Sequence, residues 1–405
     1  MADDSKLHIA MFPWLAFGHM IPYLELAKLI AQKGHKITFI STTRNIDRLP
    51  KLPPYLSPLI NFVKLPLPHA AHLLEGDEAT TDVPYNKVQY LKVAFDGLKE
   101  PMTRFLATSH DIDYLLYDFA PYWLPEIATG LGIPNAFFSI FLGAAVCFLK
   151  PASLIEDRTQ PEHFTVPPKS IPFPTTVRFK LFEILRIFES ITGDASDVSD
   201  SYRLQEVLRC CQMVAIRSCM EFEPEWLHLF QELIGKPVIP VGLLAPTEDD
   251  AVRDEGSGMW KSMKDWLDKQ EKGSLKILAH DSVGGFLTHS GWSSVVEALQ
   301  HERALILLSF LAEQGLNSRV FEEKNIGYPI PRDEFDGSFT RDSVAESLRL
   351  VMVKEEGKIY RDKAKEMKGL FGNKDIQDQY VVNFLRYIIS HRRCLGTRES
   401  SSVIK

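Results

Sequence analysis

Residues 7–40 read LHIAMFPWLAFGHMIPYLELAKLIAQKGHKITFI. Leu7 to Phe12 is an apolar run of strand length, and Lys36 to Ile40 is a second, with β-branched and aromatic residues. Pro13 to His19 reads as the loop after the first strand. From about Met20 to Lys33 the spacing predicts a helix, with Pro22 in its first turn, where a missing N–H costs little. Gly34-His35 stops that helix, and Ser41-Thr42-Thr43 closes the second strand. Strand, helix, strand is the repeating unit of a parallel sheet.

The same rhythm continues outward. Strands are expected over Ile60–Leu65, Asp113–Tyr117 and Ile133–Ser139, with helices over Val88–Ala107 and Tyr122–Leu131. Right-handed crossovers make a doubly wound sheet the natural solution. Val166 to Thr176 is proline-rich and reads as an extended loop. Gln212–Ile216 and Pro237–Val241 read as short strands. Residues 246–258, PTEDDAVRDEGSG, are acidic and nearly free of large apolar side chains, the composition of a linker. The expected organisation is an N-terminal domain over 1–245, this linker, and a C-terminal domain over 259–405. The second domain restarts the rhythm: helix Trp260–Lys272, strand Gly285–Thr288, helix Trp292–Gln300, strand Ala304–Leu308, helix Glu313–Lys324, strand Tyr328–Pro331. Helices follow over Ser343–Val353, 357–371 and 376–391.

The 405 residues carry 46 Lys+Arg and 53 Asp+Glu, a net charge of −7. No bulk positive field exists to meet phosphates, so a nucleic-acid partner is not expected. Five cysteines, an odd number with no C-x-x-C pair, read as free thiols of a reducing compartment and fit no zinc spacing. The start, MADDSKLHIA, has no secretory pattern. The longest apolar run, Ile133 to Leu149, contains Pro134 and Asn135 and reads as a buried strand and helix rather than a membrane span. A cytoplasmic monomer without stable membrane insertion is expected.

One segment carries chemistry: His289-Ser290-Gly291-Trp292-Ser293-Ser294, then Glu297, then Glu313-Gln314. It lies where a strand turns into a helix. Gly291 permits close backbone approach, and the following N–H groups with the Ser293 and Ser294 hydroxyls form a site for a diphosphate. Glu297, one turn later, is placed to accept from two ribose hydroxyls. Glu313-Gln314 follows the next strand, at the same sheet edge, and suits adjacent sugar hydroxyls. Taken singly, each residue has a plainer reading: a Ser-Gly turn, a serine cap, a solvated glutamate. No G-x-G-x-x-G follows the first strand, which argues against a dinucleotide dehydrogenase.

The run LKILAHDSVGGFLTHSGWSSVVEAL, followed by AEQGLN, resembles the sugar-nucleotide box of plant UDP-dependent glycosyltransferases of family 1. The likeness includes FPWLAFGHMIPYLELAKL, YDFAPYWLPEIA and RSCMEFEPEW. GSFTRDSVAESLRLVMV resembles the branch that extends sugars on flavonoids or triterpenoid saponins, with soyasaponin-type rhamnosyltransferases the nearest likeness. The resemblance implies two Rossmann-like α/β domains facing across a cleft, the GT-B arrangement. It implies inverting transfer of a hexosyl group, rhamnose or glucose, from a UDP-sugar to a hydroxyl of a small plant glycoside. His19 resembles the general base and Asp118 its carboxylate partner. His289, Gly291, Ser293 and Ser294 match diphosphate positions, and Trp292 a position beside the donor. Glu297 matches the ribose contact, and Glu313 and Gln314 the sugar contacts. No cofactor is implied, since the UDP-sugar is a co-substrate. No D-x-D stands at the box, so no metal is expected.

The sequence departs from that pattern at one junction. Family members open the box with W-x-P-Q, whose Trp stacks on uracil; here Trp266 to Ser274 runs straight into Leu275. Two βα units, roughly 60 residues, are missing between them. The C-terminal domain is therefore expected to be incomplete, to expose a strand edge, and to hold its donor poorly. Ser290 stands for the usual Cys, Ser293 for the usual Asn, and Glu302 and Ala304 for the usual Gly and Pro. The second reading is thus a non-catalytic remnant that still binds glycosides.

Overall fold

The structure is a computed structural model and describes residues 6–149, 158–246, 277–280 and 282–392. Most of the expected linker, the helix expected over Trp260–Lys272 and the Ser274–Leu275 junction lie outside the described residues.

Among the described residues, ten strands form two parallel sheets. The first contains β1 (His8–Phe12), β2 (Lys36–Thr42), β3 (Ile60–Leu65), β4 (Tyr114–Tyr117), β5 (Asn135–Ser139), β6 (Met213–Ile216) and β7 (Val238–Pro240), in the order β3-β2-β1-β4-β5-β6-β7. Every pairing is parallel. The order reverses between β1 and β4, which makes the crevice above their carboxyl ends the natural binding place. The second sheet contains β8 (Gly285–Thr288), β9 (Ala304–Leu307) and β10 (Gly327–Pro329), in the order β10-β9-β8. Strands buried on both faces read as continuous apolar runs, as at YLLY and ALIL.

Several elements differ from the sequence reading. The first helix starts at Phe17, not Met20, so His19 stands in its first turn and Pro22 in its second. The segment 88–107 is not one helix. It breaks into Val88–Asp96 and Lys99–Thr108, because Gly97 lies against Pro68 and Pro101 lacks a donor to continue the ladder. A short helix, Thr43–Arg48, begins where a strand end was expected.

Helix Lys374–Ser390 belongs by sequence to the 259–405 unit, yet it does not stay with the second sheet. Its Val381, Phe384, Leu385 and Ile388 pack with Ile9, Met11, Leu24 and Met213 on one face of the first sheet. Lys33 pairs with Asp378 across this contact at 2.5 Å. On the opposite face, a single apolar core runs from Phe12, Phe95 and Trp123 through Phe222 into Trp292, Val296, Leu305 and Phe321. The two halves are therefore packed as one body.

β8 is the thin place. Among the described residues its only strand partner is β9; Gly285 and Phe286 are half-buried and Leu287 is 41% exposed, whereas β9 is buried throughout. β8 is thus the less covered edge of the second sheet among the described residues.

Candidate active site

His19 and Asp118 meet at the switch point of the first sheet. Asp118 follows β4, and its N–H donates to Phe12 O at the end of β1. Its carboxylate is fully buried and accepts three hydrogen bonds: Oδ2 from Trp14 N at 3.1 Å and from His19 Nδ1 at 2.8 Å, and Oδ1 from Phe119 N at 2.8 Å. Three donors around one buried carboxylate fix its geometry. The His19 side chain is 12% exposed, between the rings of Phe119 and Phe141. With Asp118 on Nδ1, the lone pair on Nε2 is free to take a proton.

The second cluster lies after β8. Ser290 adopts φ +70°, a left-handed conformation that reverses the chain between strand and helix. Asn317 fixes the turn by donating to Ser290 O at 3.2 Å. At Gly291 any Cβ would lie 2.4 Å from the His289 ring, so only glycine fits beside that imidazole. The helix Trp292–Gln300 starts here with no side-chain cap, leaving its first N–H groups open to a ligand. His289 is exposed, yet enough protein surrounds its ring to lower its pKa below the ordinary value. Ser294 and Glu297 are half-buried on the same helix.

Trp292 is a packing residue. It is 3% exposed, stacks on Phe222 and Phe321 at 5.2 and 5.9 Å, and donates from Nε1 to Arg217 O at 2.9 Å. Its side chain turns into the core, where Phe222 and Phe371 leave an aromatic slot. What remains for a ligand is its backbone N–H.

Glu313 stands at the N-cap position of helix Gln314–Glu323 after β9, with no side-chain cap hydrogen bond. Burial pushes its carboxyl pKa up, opposed by a backbone hydrogen bond and by the charge of His19. The two predicted clusters are thus within electrostatic reach of each other. Gln314 spends its amide oxygen on Phe310 N and Leu311 N, both at 3.0 Å, which leaves its NH₂ group for a ligand.

Glu183, which sequence reasoning missed, braces this loop from the first half. It accepts from Arg319 Nη2 at 3.0 and 3.1 Å and from Ser309 Oγ at 3.0 Å. A Cβ at Gly315 would lie 2.6 Å from its Oε2. Nothing near residue 183 in the sequence signals a partner 136 residues away.

Comparison with known proteins shows the family. The family described as UDP-glucoronosyl and UDP-glucosyl transferase matches residues 263–393. UDP-glycosyltransferase 91A1 of Arabidopsis thaliana is 46% identical, over 96% of this chain and 98% of its own length. The chain belongs to the plant UDP-glycosyltransferase family. Soyasaponin III rhamnosyltransferase of Glycine max is 34% identical, over 96% of this chain and 97% of its own. Both alignments are longer than this 405-residue chain, at 464 and 459 positions, so the chain lacks residues that its relatives carry. Among solved structures, Glycyrrhiza uralensis UGT73P12 complexed with glycyrrhetinic acid 3-O-monoglucuronide superposes with TM-score 0.70 at 16% identity, covering 95% of this chain and 97% of that one. Arabidopsis thaliana UGT89C1 complexed with UDP-L-rhamnose gives 0.67 at 18%, covering 95% and 99%. These likenesses show the fold: two Rossmann-like domains of the GT-B arrangement. Among the described residues of this glycosyltransferase-family chain, no helix is long and apolar enough to cross a membrane.

Proposed function

We propose that this protein is built for inverting transfer of a hexosyl group from a UDP-sugar to a hydroxyl of a small plant glycoside, with donor binding weakened by the missing segment. The observation that carries the reading is the His19–Asp118 pair, 2.8 Å apart, at the switch point of the first sheet. His19 Nε2 takes the acceptor hydroxyl proton. Asp118 holds the tautomer and stabilises the imidazolium that forms. The oxygen attacks the anomeric carbon from the side opposite UDP, and the C–O bond to the diphosphate breaks, inverting configuration. The negative charge left on UDP meets the open N–H groups of helix Trp292–Gln300 and His289. Glu297 takes the ribose; Glu313 and the Gln314 NH₂ take sugar hydroxyls. Among the acceptors and sugars considered, a saponin-type glycoside and rhamnose are the pair that the name of the soybean relative supports.

A second reading is favoured by β8 and by the alignment lengths. A chain without the uracil platform holds its nucleotide by phosphate and sugar alone. Orientation carries much of the rate, so such a chain binds glycosides on its N-terminal half while turning over little donor. Assaying UDP release from UDP-rhamnose and UDP-glucose, with glycoside acceptors, separates the readings. Acceptor-dependent release that vanishes in His19→Ala supports transfer, and acceptor binding without release supports the remnant.

A further inference from the structure

Arg217 is the first residue beyond β6, in the first sheet, yet its guanidinium reaches the helix start of the second. It is 2% exposed. Nε donates to Leu243 O at 2.8 Å, Nη2 to Leu244 O at 3.3 Å, and Nη1 to Ser293 Oγ at 2.6 Å. Its own carbonyl oxygen accepts from Trp292 Nε1 at 2.9 Å. Burial pulls its pKa down to about 9, with Glu25 acting in the opposite sense, so the group is still charged at neutral pH. All three acceptors are neutral oxygens, so the hydrogen bonds themselves bring no counter-charge to this buried cation.

Ser293 supplies the other half of the argument. A hydroxyl has one proton and two lone pairs. The guanidinium occupies a lone pair, so the Ser293 proton must point elsewhere. Ser293 is the second residue of the helix, where the free N–H groups open toward a ligand. A hydroxyl polarised by a cation is the stronger donor to an anion.

We infer that Arg217 is a positioning residue for the donor diphosphate. It acts through Ser293, aiming that hydroxyl at a phosphate oxygen, and the arriving diphosphate compensates its buried charge. Because Arg217 belongs to the first half and Ser293 to the second, donor binding and the alignment of the two halves are linked. The inference rests on reading the His289–Ser294 turn as the donor site.

The test is calorimetric titration of the full chain with UDP and with inorganic pyrophosphate. It compares the parent with Arg217→Lys, Arg217→Met, Ser293→Ala and the Arg217→Met/Ser293→Ala double variant. Arg217→Met and Ser293→Ala should each weaken both ligands about tenfold, the loss of one charge-assisted hydrogen bond. The double variant should be little worse than either single one, and Arg217→Lys should recover part of the loss, which a purely structural clamp would not give. Should Arg217→Met fail to fold, Ser293→Ala and Arg217→Lys still decide the matter. Parent-like affinity in those two overturns this inference alone, as does a double variant whose losses multiply. A parent that binds neither ligand overturns the donor-site reading, and this inference with it.

Discussion

Asp118 Oδ2 lies 2.8 Å from His19 Nδ1 across 99 residues of sequence, and Trp14 N holds the same oxygen at 3.1 Å. The imidazole is therefore fixed in one tautomer, with Nε2 turned away from the carboxylate. Replacing His19 by Ala should lower turnover by ~10²–10⁴-fold while UDP affinity persists. Asp118→Asn should lose turnover too, because an amide no longer holds the imidazolium. Near-parental turnover in His19→Ala would remove it from the mechanism.

Glu297 lies one turn into the helix that starts at the diphosphate turn. Glu297→Ala should weaken UDP and UDP-sugar binding and leave acceptor binding unchanged. Equal UDP affinity by calorimetry in variant and parent would refute the ribose contact.

Trp292 bridges Phe222, Phe321 and Phe371 and donates to Arg217 O. Trp292→Ala should cost about 3–5 kcal/mol of unfolding free energy. Trp292→Phe should cost less, keeping the aromatic contact and losing the hydrogen bond. Denaturant unfolding checks both, and an unchanged midpoint in Trp292→Ala would show that the junction does not depend on this ring.

Glu223 is fully buried and caps helix Gly143–Leu149, accepting from Gly143 N at 2.8 Å, Ala144 N at 3.1 Å and Ser218 Oγ at 2.6 Å. Burial pushes its pKa above the ordinary 4.5, against the pull of those bonds. A raised carboxyl pKa means that the folded chain holds the proton more tightly than the unfolded one. Its contribution is therefore greatest at acid pH and falls as pH rises from 4.5 through the folded value. Glu223→Gln does not titrate, so the stability of the parent relative to this variant should decline with rising pH in that window. A difference that grows with pH would contradict the assignment.

Local chemistry made much of this legible. β3, β8 and helix Trp292–Gln300 fall where the apolar runs and their flanking turns put them. The His289–Ser294 turn was readable because its Gly, serines and helix start are contiguous. The first helix begins three residues before the expected Met20 and takes His19 into its first turn, since Phe17 and Gly18 carry no cap signal and the helix begins without one. The packing of Trp292 was not legible in the sequence, because it depends on Phe222 and Phe371, 70 or more residues away. Arg217 and Glu183 were invisible for the same reason. Each acts on the other half of the molecule, and single-sequence patterning reports neighbours in the chain rather than in space.

The proposal made for this chain is an acceptor-activating pair and a diphosphate turn kept without the segment that orients the nucleotide. The most direct test is UDP release by the 405-residue chain. It is set beside a chimera carrying, after Ser274, the corresponding stretch of the 46%-identical Arabidopsis relative. The account predicts that the chimera turns over UDP-sugar with glycoside acceptors at a rate at least tenfold above the chain, a gap of about the size that one lost base stack implies, and that His19→Ala abolishes the gain. Turnover by the 405-residue chain equal to that of the chimera would contradict it.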